Sequence, residues 1–419
     1  PAGAQPIIVP VSDYAAPLQA IVAVIPFAAR SLAQDNQLAV GEIIADGVIG
    51  QLSRTHDIKV ISRLSTSVFR NRINTGDLNG VADIESYLGA NYILSGSYIA
   101  FDKKLIVTAE LSETKNNHVI WMDRIQGEIG DLLQLQSELC NTIANATHMA
   151  IVETEVQAAL IKPLPTLESY SLWLGGISMM HRSSTRSFAR GKEMLELVNE
   201  RHNKVSTTHT WLAKWHLLHT GSGMSTDPAK DAKIALAHTE RALALNPMDA
   251  HAMATQGLVL NLMQGRPEAS GLVLDQAVSL SSNEPMVWLY KSIWAHMWGD
   301  CSQAVIFAER ASALSPIDPT RYYFDTILAN AYSGDYQNEK AMIIAERALK
   351  ANAVHVPTLR CLLVSQGELG LLDEAKKTMA AILKLVPDFT ISKYRAMGNS
   401  NSPARQRIIK VFEQVGLAE

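Results

Sequence analysis

At 419 residues the chain is too long for one compact core, and 47% hydrophobic with 19% charged side chains excludes wholesale disorder. A net charge of −4 and a pI near 6.3 supply no basic footprint for nucleic acid, so any DNA contact has to come from another segment. Cys140, Cys301 and Cys361 lie far apart with no CxxC or Cys/His spacing, which argues against a disulfide framework or zinc site and for a reducing, cytoplasmic setting.

Residues 1–19 read as a Pro/Ala-rich linker. They hold no initiator Met and no basic run before an apolar core, so we expect a fragment of a longer protein. The apolar stretch AIVAVIPFAA is broken by Pro26 and is far too short to span a membrane, so no membrane partner is expected. IVAVIPF (21–27) then reads as a buried strand. Residues 36–55 read as an amphipathic helix carrying Leu38, Ile43, Ile44, Val48, Ile49 and Leu52. A second strand is expected at 57–63, a loop at 65–80 and a short helix at 81–90, ended by Gly89 in the left-handed conformation. Three runs, 92–101, 104–113 and 118–127, are separated by tight polar connections and predict an antiparallel meander. In the middle run Leu105, Val107, Ala109 and Leu111 alternate with other residues, which predicts one buried face. Residues 131–160 predict one long helix with an acidic start, favourable to the helix dipole. KPLPT (162–166) breaks it and marks the expected domain boundary.

Helices are expected at 167–182, 187–200 and 208–220, followed by a long loop, GSGMSTDPAKD. Beyond it the stretches 235–247, 270–282, 304–316, 341–353 and 375–387 repeat one pattern, in which a small residue is followed seven later by another small or apolar one. The second positions, Ala242, Ala277, Ala311, Ala348 and Ile382, are spaced by 35, 34, 37 and 34 residues. A terminal amphipathic helix near 403–415 is expected to cap the array. A period of about 34 with Ala at close helix contacts resembles the tetratricopeptide repeat, whose helix pairs stack into a superhelix with a concave groove.

The first half carries an ordered set of motifs. They are Val24-Ile25-Pro26-Phe27, Asp46-Gly47, Ser62-Arg63-Leu64-Ser65, Leu88-Gly89, Leu94-Ser95-Gly96-Ser97, Val119-Ile120-Trp121 and the Leu-Gln helix from Asp131 to Gln136. In this order they resemble the small α/β domain named for its likeness to the amino-terminal domain of TolB, over about residues 20–150. Ser95 stands where that family usually has Glu, and Lys115-Asn116-Asn117 replaces its Thr-Gly turn. The expected fold class is therefore α+β. It comprises a linker (1–19), a TolB amino-terminal-like α/β domain with its closing helix (20–160), an all-α tetratricopeptide superhelix (167–390) and a capping helix with tail (391–419). The resemblance implies the C-terminal region of a bacterial winged-helix transcriptional regulator or of a class III adenylate cyclase. A stand-alone scaffold is the third reading.

No GxSxG, HExxH or Walker A sequence occurs, so neither catalysis nor a cofactor is expected. Asp46 is expected to pair with a backbone group or Arg63, and Gly96-Ser97 to be a packing or bulge position. His209, His216 and His219 can share a helix face beside His202, but that helix supplies no acidic residue or Cys to complete a metal site, and none is expected. Trp211 and Trp215 read as a packed pair. With Trp288 as the structural Trp of its repeat, Met286, Leu289, Ile293 and His296 are expected on the concave side. Arg321, Phe324 and Leu328 occupy the equivalent places one repeat later. Such a groove suits an amphipathic peptide or a second copy of the chain, and the groove or domain junction suits a small-molecule effector.

Overall fold

A computed structural model describes residues 18–30, 37–55, 58–63, 65–66, 88–102, 104–133, 137–182, 184–222, 224–315, 320–396 and 403–419. The strands β1 (Ala20–Val24), β2 (Ala28–Ala29), β3 (Ile58–Val60), β4 (Tyr92–Phe101), β5 (Lys104–Glu113) and β6 (His118–Glu128) form one sheet. Its order is β3-β1-β4-β5-β6, with β2 also on β4. β1 runs parallel to β3 and β4, whereas β4, β5 and β6 form the antiparallel meander read from the sequence. Leu105, Val107, Ala109 and Leu111 are wholly buried. They share a core with Ile44, Val48 and Leu52 of α1 (Gln37–Leu52) and with Leu139, Ile143 and Ile151 of α2 (Glu138–Ile161). The two helices approach closely at Gly47, where a Cβ would stand 2.5 Å from Cys140 Sγ.

Two expectations shift. β1 stops at Val24 because Pro26 carries no amide to continue the ladder, and Phe27 N instead donates to Gly41 O. The long helix begins at Glu138, seven residues later than expected, because Ser137 caps it by accepting from Cys140 N. Asp131 sits in the preceding 3-10 turn and accepts from Ser137 Oγ at 2.8 Å, so the acid still serves the helix start. Arg63 pairs with Asp46, and Gly96 fits under Phe27 and Thr108 O as a packing position. Of the loop expected at 65–80, residues 65 and 66 are helical and 67–80 lie outside the described residues, as does most of the helix at 81–90; Gly89 takes φ +63°.

The chain turns at the Pro pair through a short 3-10 segment, Leu164–Thr166, yet the apolar core runs on across it. Val156 and Ala159 of α2 belong to the same cluster as Leu172 and Trp173 of α3 (Ser169–Met180). At the centre of this junction lies Glu155, a buried carboxylate that accepts from the Tyr92 hydroxyl of β4. Burial pushes its carboxyl above the ordinary 4.5, against the hydrogen bonds from Ser171 and Tyr92. A raised folded pKa means the native state holds the proton more tightly, so its contribution is fullest below the unfolded value and is lost as pH rises. Urea unfolding should therefore show wild-type stability declining as pH rises above about 4.5 and Glu155→Gln lacking that decline. Parallel profiles in the two proteins would remove Glu155 from the account.

Helix hairpins follow: α3 with α4 (Thr185–Arg201), α5 (Ser206–Gly221) with α6 (Pro228–Leu245), and α7 (Ala250–Leu262) with α8 (Pro267–Leu280). They continue as α9 (Pro285–Trp298) with α10 (Cys301–Leu314), α11 (Arg321–Gly334) with α12 (Asn338–Ala351), and α13 (Val356–Glu368) with α14 (Leu372–Leu385). Each second helix from α6 onward starts three to seven residues before the repeated stretch, because Asp227 and Asp300 cap two of them and Pro228 and Pro267 open two. The helices accordingly take up both ends of the expected long loop, since α5 runs to Gly221 and α6 starts at Pro228. Ala242, Ala277, Ala311, Ala348 and Ile382 are all buried at the helix contacts, as the period requires. Helices α15 (Ile391–Ala396) and α16 (Pro403–Gln414) close the array, with Ile409, Val411 and Phe412 packed on Leu359 and Leu363 of α13. No helix among the described residues is long and apolar enough to cross a membrane.

Candidate functional site

The first helices α9, α11 and α13 share an interior surface, and beside it the chain makes contacts between hairpins far apart in sequence. Tyr322 on α11 meets His181 at the end of α3, four hairpins earlier: its hydroxyl donates to His181 O at 2.9 Å and lies 2.8 Å from His181 Nδ1. Asn352 Nδ2 donates to the same carbonyl at 3.1 Å. Tyr323 packs on the His181 ring and lies under the ammonium of Lys214, which is also 4.3 Å from the Trp211 ring on α5. His355 of the next hairpin packs edge-on against Tyr322. Burial holds His181 well below its ordinary value and His355 at about 4, so both rings are neutral at pH 7 and serve as hydrogen-bonding aromatics.

Farther along, the interior opens into a cavity of about 310 Å³. Ser292, Ile293 and His296 of α9, Ile327, Asn330 and Ser333 of α11, and Arg360, Cys361 and Val364 of α13 form its wall. Tyr394 of α15 with Arg405, Arg407 and Ile408 of α16 completes it. Gly334 makes room for His296, since a Cβ there would lie 2.6 Å from the ring.

Of the residues expected on the concave side, Ile293 and His296 line this cavity. Met286, Leu289, Phe324 and Leu328 do not: they are buried in the packing between hairpins. Arg321 is also a structural residue, pairing with Asp325 at 3.1 Å and donating to the carbonyls of Ser312 and Ser315. The inward face of α11 runs through 327, 330 and 334, roughly a quarter turn from the expected 324 and 328. Trp288 caps Ser282 O at 2.8 Å and packs on Phe307, which is a structural placement.

Sequence reasoning missed Arg360, Arg405 and Arg407. The signal was present, as a lone Arg inside the apolar helix VPTLRCLLV and an Arg-Gln-Arg step in the capping helix. It also missed Asp231, which opens α6 and receives His216 Nδ1 at 2.5 Å and His219 Nδ1 at 2.9 Å. His209 turns instead to His238, so the three histidines do not converge. Among the described residues no group of three or more His, Cys, Asp or Glu side chains is placed to hold a metal ion. Trp215 packs on Phe188 and His219, whereas Trp211 packs on Trp173, so the two indoles serve different neighbours. Burial pushes the thiols of Cys140 and Cys301 up and that of Cys361 to about 12, which leaves each of them protonated at neutral pH.

No protein-family model matches the chain. A curated protein of Rhizobium meliloti (strain 1021), named "Putative adenylate cyclase 3", is 22% identical over 197 residues, which is 47% of this chain. The chain spans about a third of that relative's length, 32%. Among solved structures, a tetratricopeptide repeat protein from Parabacteroides merdae ATCC 43184 is 16% identical, with a TM-score of 0.34 over 65% of this chain and 95% of its own. TolB from Acinetobacter baumannii is 13% identical, with a TM-score of 0.23 over 33% of this chain and 29% of its own.

Proposed function

We propose that the chain is a non-catalytic regulatory and protein-interaction module, in which a TolB-like sheet unit couples a helical repeat array to an output domain. The observation that carries this reading is the array itself: stacked hairpins packed through successive apolar clusters, the first of which is continuous through α2 with the core of the sheet. Such arrays present extended surfaces to partners, and here the inner surface is rich in His, Arg and Tyr side chains. The output ranked first is transcription regulation through an upstream winged helix. The similarity to the Rhizobium protein favours a second reading, the auxiliary region of an adenylate cyclase.

One experiment separates them. The natively expressed protein is mapped by mass spectrometry upstream of Pro1 and assayed for retention of duplex DNA and for conversion of ATP to cyclic AMP. Retained DNA supports the regulator, and cyclic AMP formation supports the cyclase. Residues 1–419 alone are expected to turn over no ATP. Turnover that disappears on changing one residue within them would overturn the non-catalytic reading.

A further inference from the structure

In the four hairpins from α7 to α14 the chain turns between helices through one residue in the left-handed region: Gly265 at φ +60°, Gly299 at +87°, Tyr336 at +60° and Gly370 at +77°. Glycine adopts that conformation readily, whereas a ring-bearing residue is strained there. Tyr336 nonetheless occupies it, with 72% of the residue exposed. Strain kept at an exposed position points to a use for the side chain.

The neighbouring turns place large apolar side chains beside it. Leu262, Met297, Trp298 and Leu371 are 38% to 51% exposed. Asn261 Nδ2 donates to Met297 Sδ at 3.4 Å, which joins the first turn to the second. Ser302 Oγ donates to Asp335 at 2.8 Å, which joins the second to the third. Arg407 lies 4.3 Å from the Tyr336 ring and 3.3 Å from Glu368, which joins the third to the fourth. This edge is also acidic. Residues 262–268, 297–303, 334–340 and 369–375 hold six carboxylates against two cations, Arg266 and Lys340. Asp300 and Asp335 accept from Gln303 N, Ser302 Oγ and Gln337 Nε2, neutral donors that do not cancel their charge. The chain itself shows what such a surface holds. Its terminal helix α16, PARQRIIKVFEQ, packs Ile409, Val411 and Phe412 on the array while Arg407 covers Tyr336 beside Glu368.

We propose that this edge, from the α7–α8 turn to the α11–α12 turn, docks a basic amphipathic helix of a partner protein. Its apolar residues rest on Leu262, Met297, Trp298 and Tyr336, and its Lys and Arg side chains stand among the carboxylates. Packed helices lie about 8–10 Å apart and seven residues of α-helix rise about 10.5 Å, so a helix laid across the hairpins sets one apolar residue on each turn at heptad spacing. An anionic membrane or nucleic acid would meet like charge here. The inference rests on the reading of the array as an interaction module, and adds where that module binds and what it binds.

The test titrates the full chain, by calorimetry, with a synthetic helical peptide of about 18 residues carrying Leu at every seventh position and Lys on both flanks. The same peptide in scrambled order, and one with Glu in place of Lys, are the controls. Saturable binding of the first alone is expected, weakening as salt is raised. Tyr336→Gly should keep the unfolding temperature or raise it, since Gly fills the three equivalent turns, and should weaken binding about tenfold or more. Trp298→Gln should weaken it to a similar extent, and Asp300→Asn, which can still cap α10, should flatten the salt dependence. Absence of saturable binding, equal binding of the scrambled peptide or preference for the Glu peptide would overturn the proposal. Binding that survives both Tyr336→Gly and Trp298→Gln overturns it too, by placing the partner on another surface, and leaves the interaction-module reading standing. Sedimentation velocity of the chain alone supplies the last arm: a dimer that these two substitutions dissolve would give the edge to a second copy and overturn the proposal.

Discussion

Phe324→Ala is expected to lower the stability of the chain by about 3–5 kcal/mol. Its ring is fully buried among Leu289, Tyr290 and Ala311, where three hairpin helices meet, and truncation leaves a void that the packed neighbours cannot fill. Denaturant unfolding with the slope unchanged measures this directly. The result also separates two roles for a position that sequence spacing assigns to a binding surface. A binding residue would lose partner affinity with little change in stability, whereas a packing residue does the reverse. A stability loss under about 1 kcal/mol would place Phe324 on the accessible face after all.

Phe412→Ala is expected to cost a similar amount, about 3–5 kcal/mol, but with a different spatial signature. Phe412 is fully buried and packs edge-on against Tyr394 at 5.1 Å and Phe389 at 5.8 Å. Those rings lie at the end of the array, where only one neighbouring hairpin shares the loss. Hydrogen exchange should therefore accelerate in α13 to α16 while α3 to α8 keep their protection, as nearest-neighbour stacking predicts. Uniform acceleration across the chain would mean that the array unfolds as one unit.

The meander was legible almost to the residue because its period-2 alternation faces a single core and its connections carry turn chemistry, with Asp102 and Asn117 at φ 56°. The helix pairs were legible in period but late at their starts, because the repeated pattern marks helix contacts and the caps precede it. The inward face was legible only in part, at Ile293 and His296. Helix α9, PMVWLYKSIWAHMW, has large apolar residues on every side, since an inner helix packs against both neighbours and its partner, so periodicity does not single out the face that sees the interior. The arginine cluster was invisible for another reason. Arg360 and Arg405 meet through the accumulated rotation of successive hairpins and the return of the terminal helix, and neither is written in local sequence.

An open array behaves like a spring, in which each coil feels only the next. The bond from Tyr322 to His181 fastens this spring to itself, joining the hairpin fused to the sheet with the one that forms the cavity wall. A displacement of the sheet carried by α2 and α3 then reaches α11 by a short strut rather than through the intervening coils. The two fastened hairpins are therefore direct neighbours, although some 140 residues of chain lie between the fastened points.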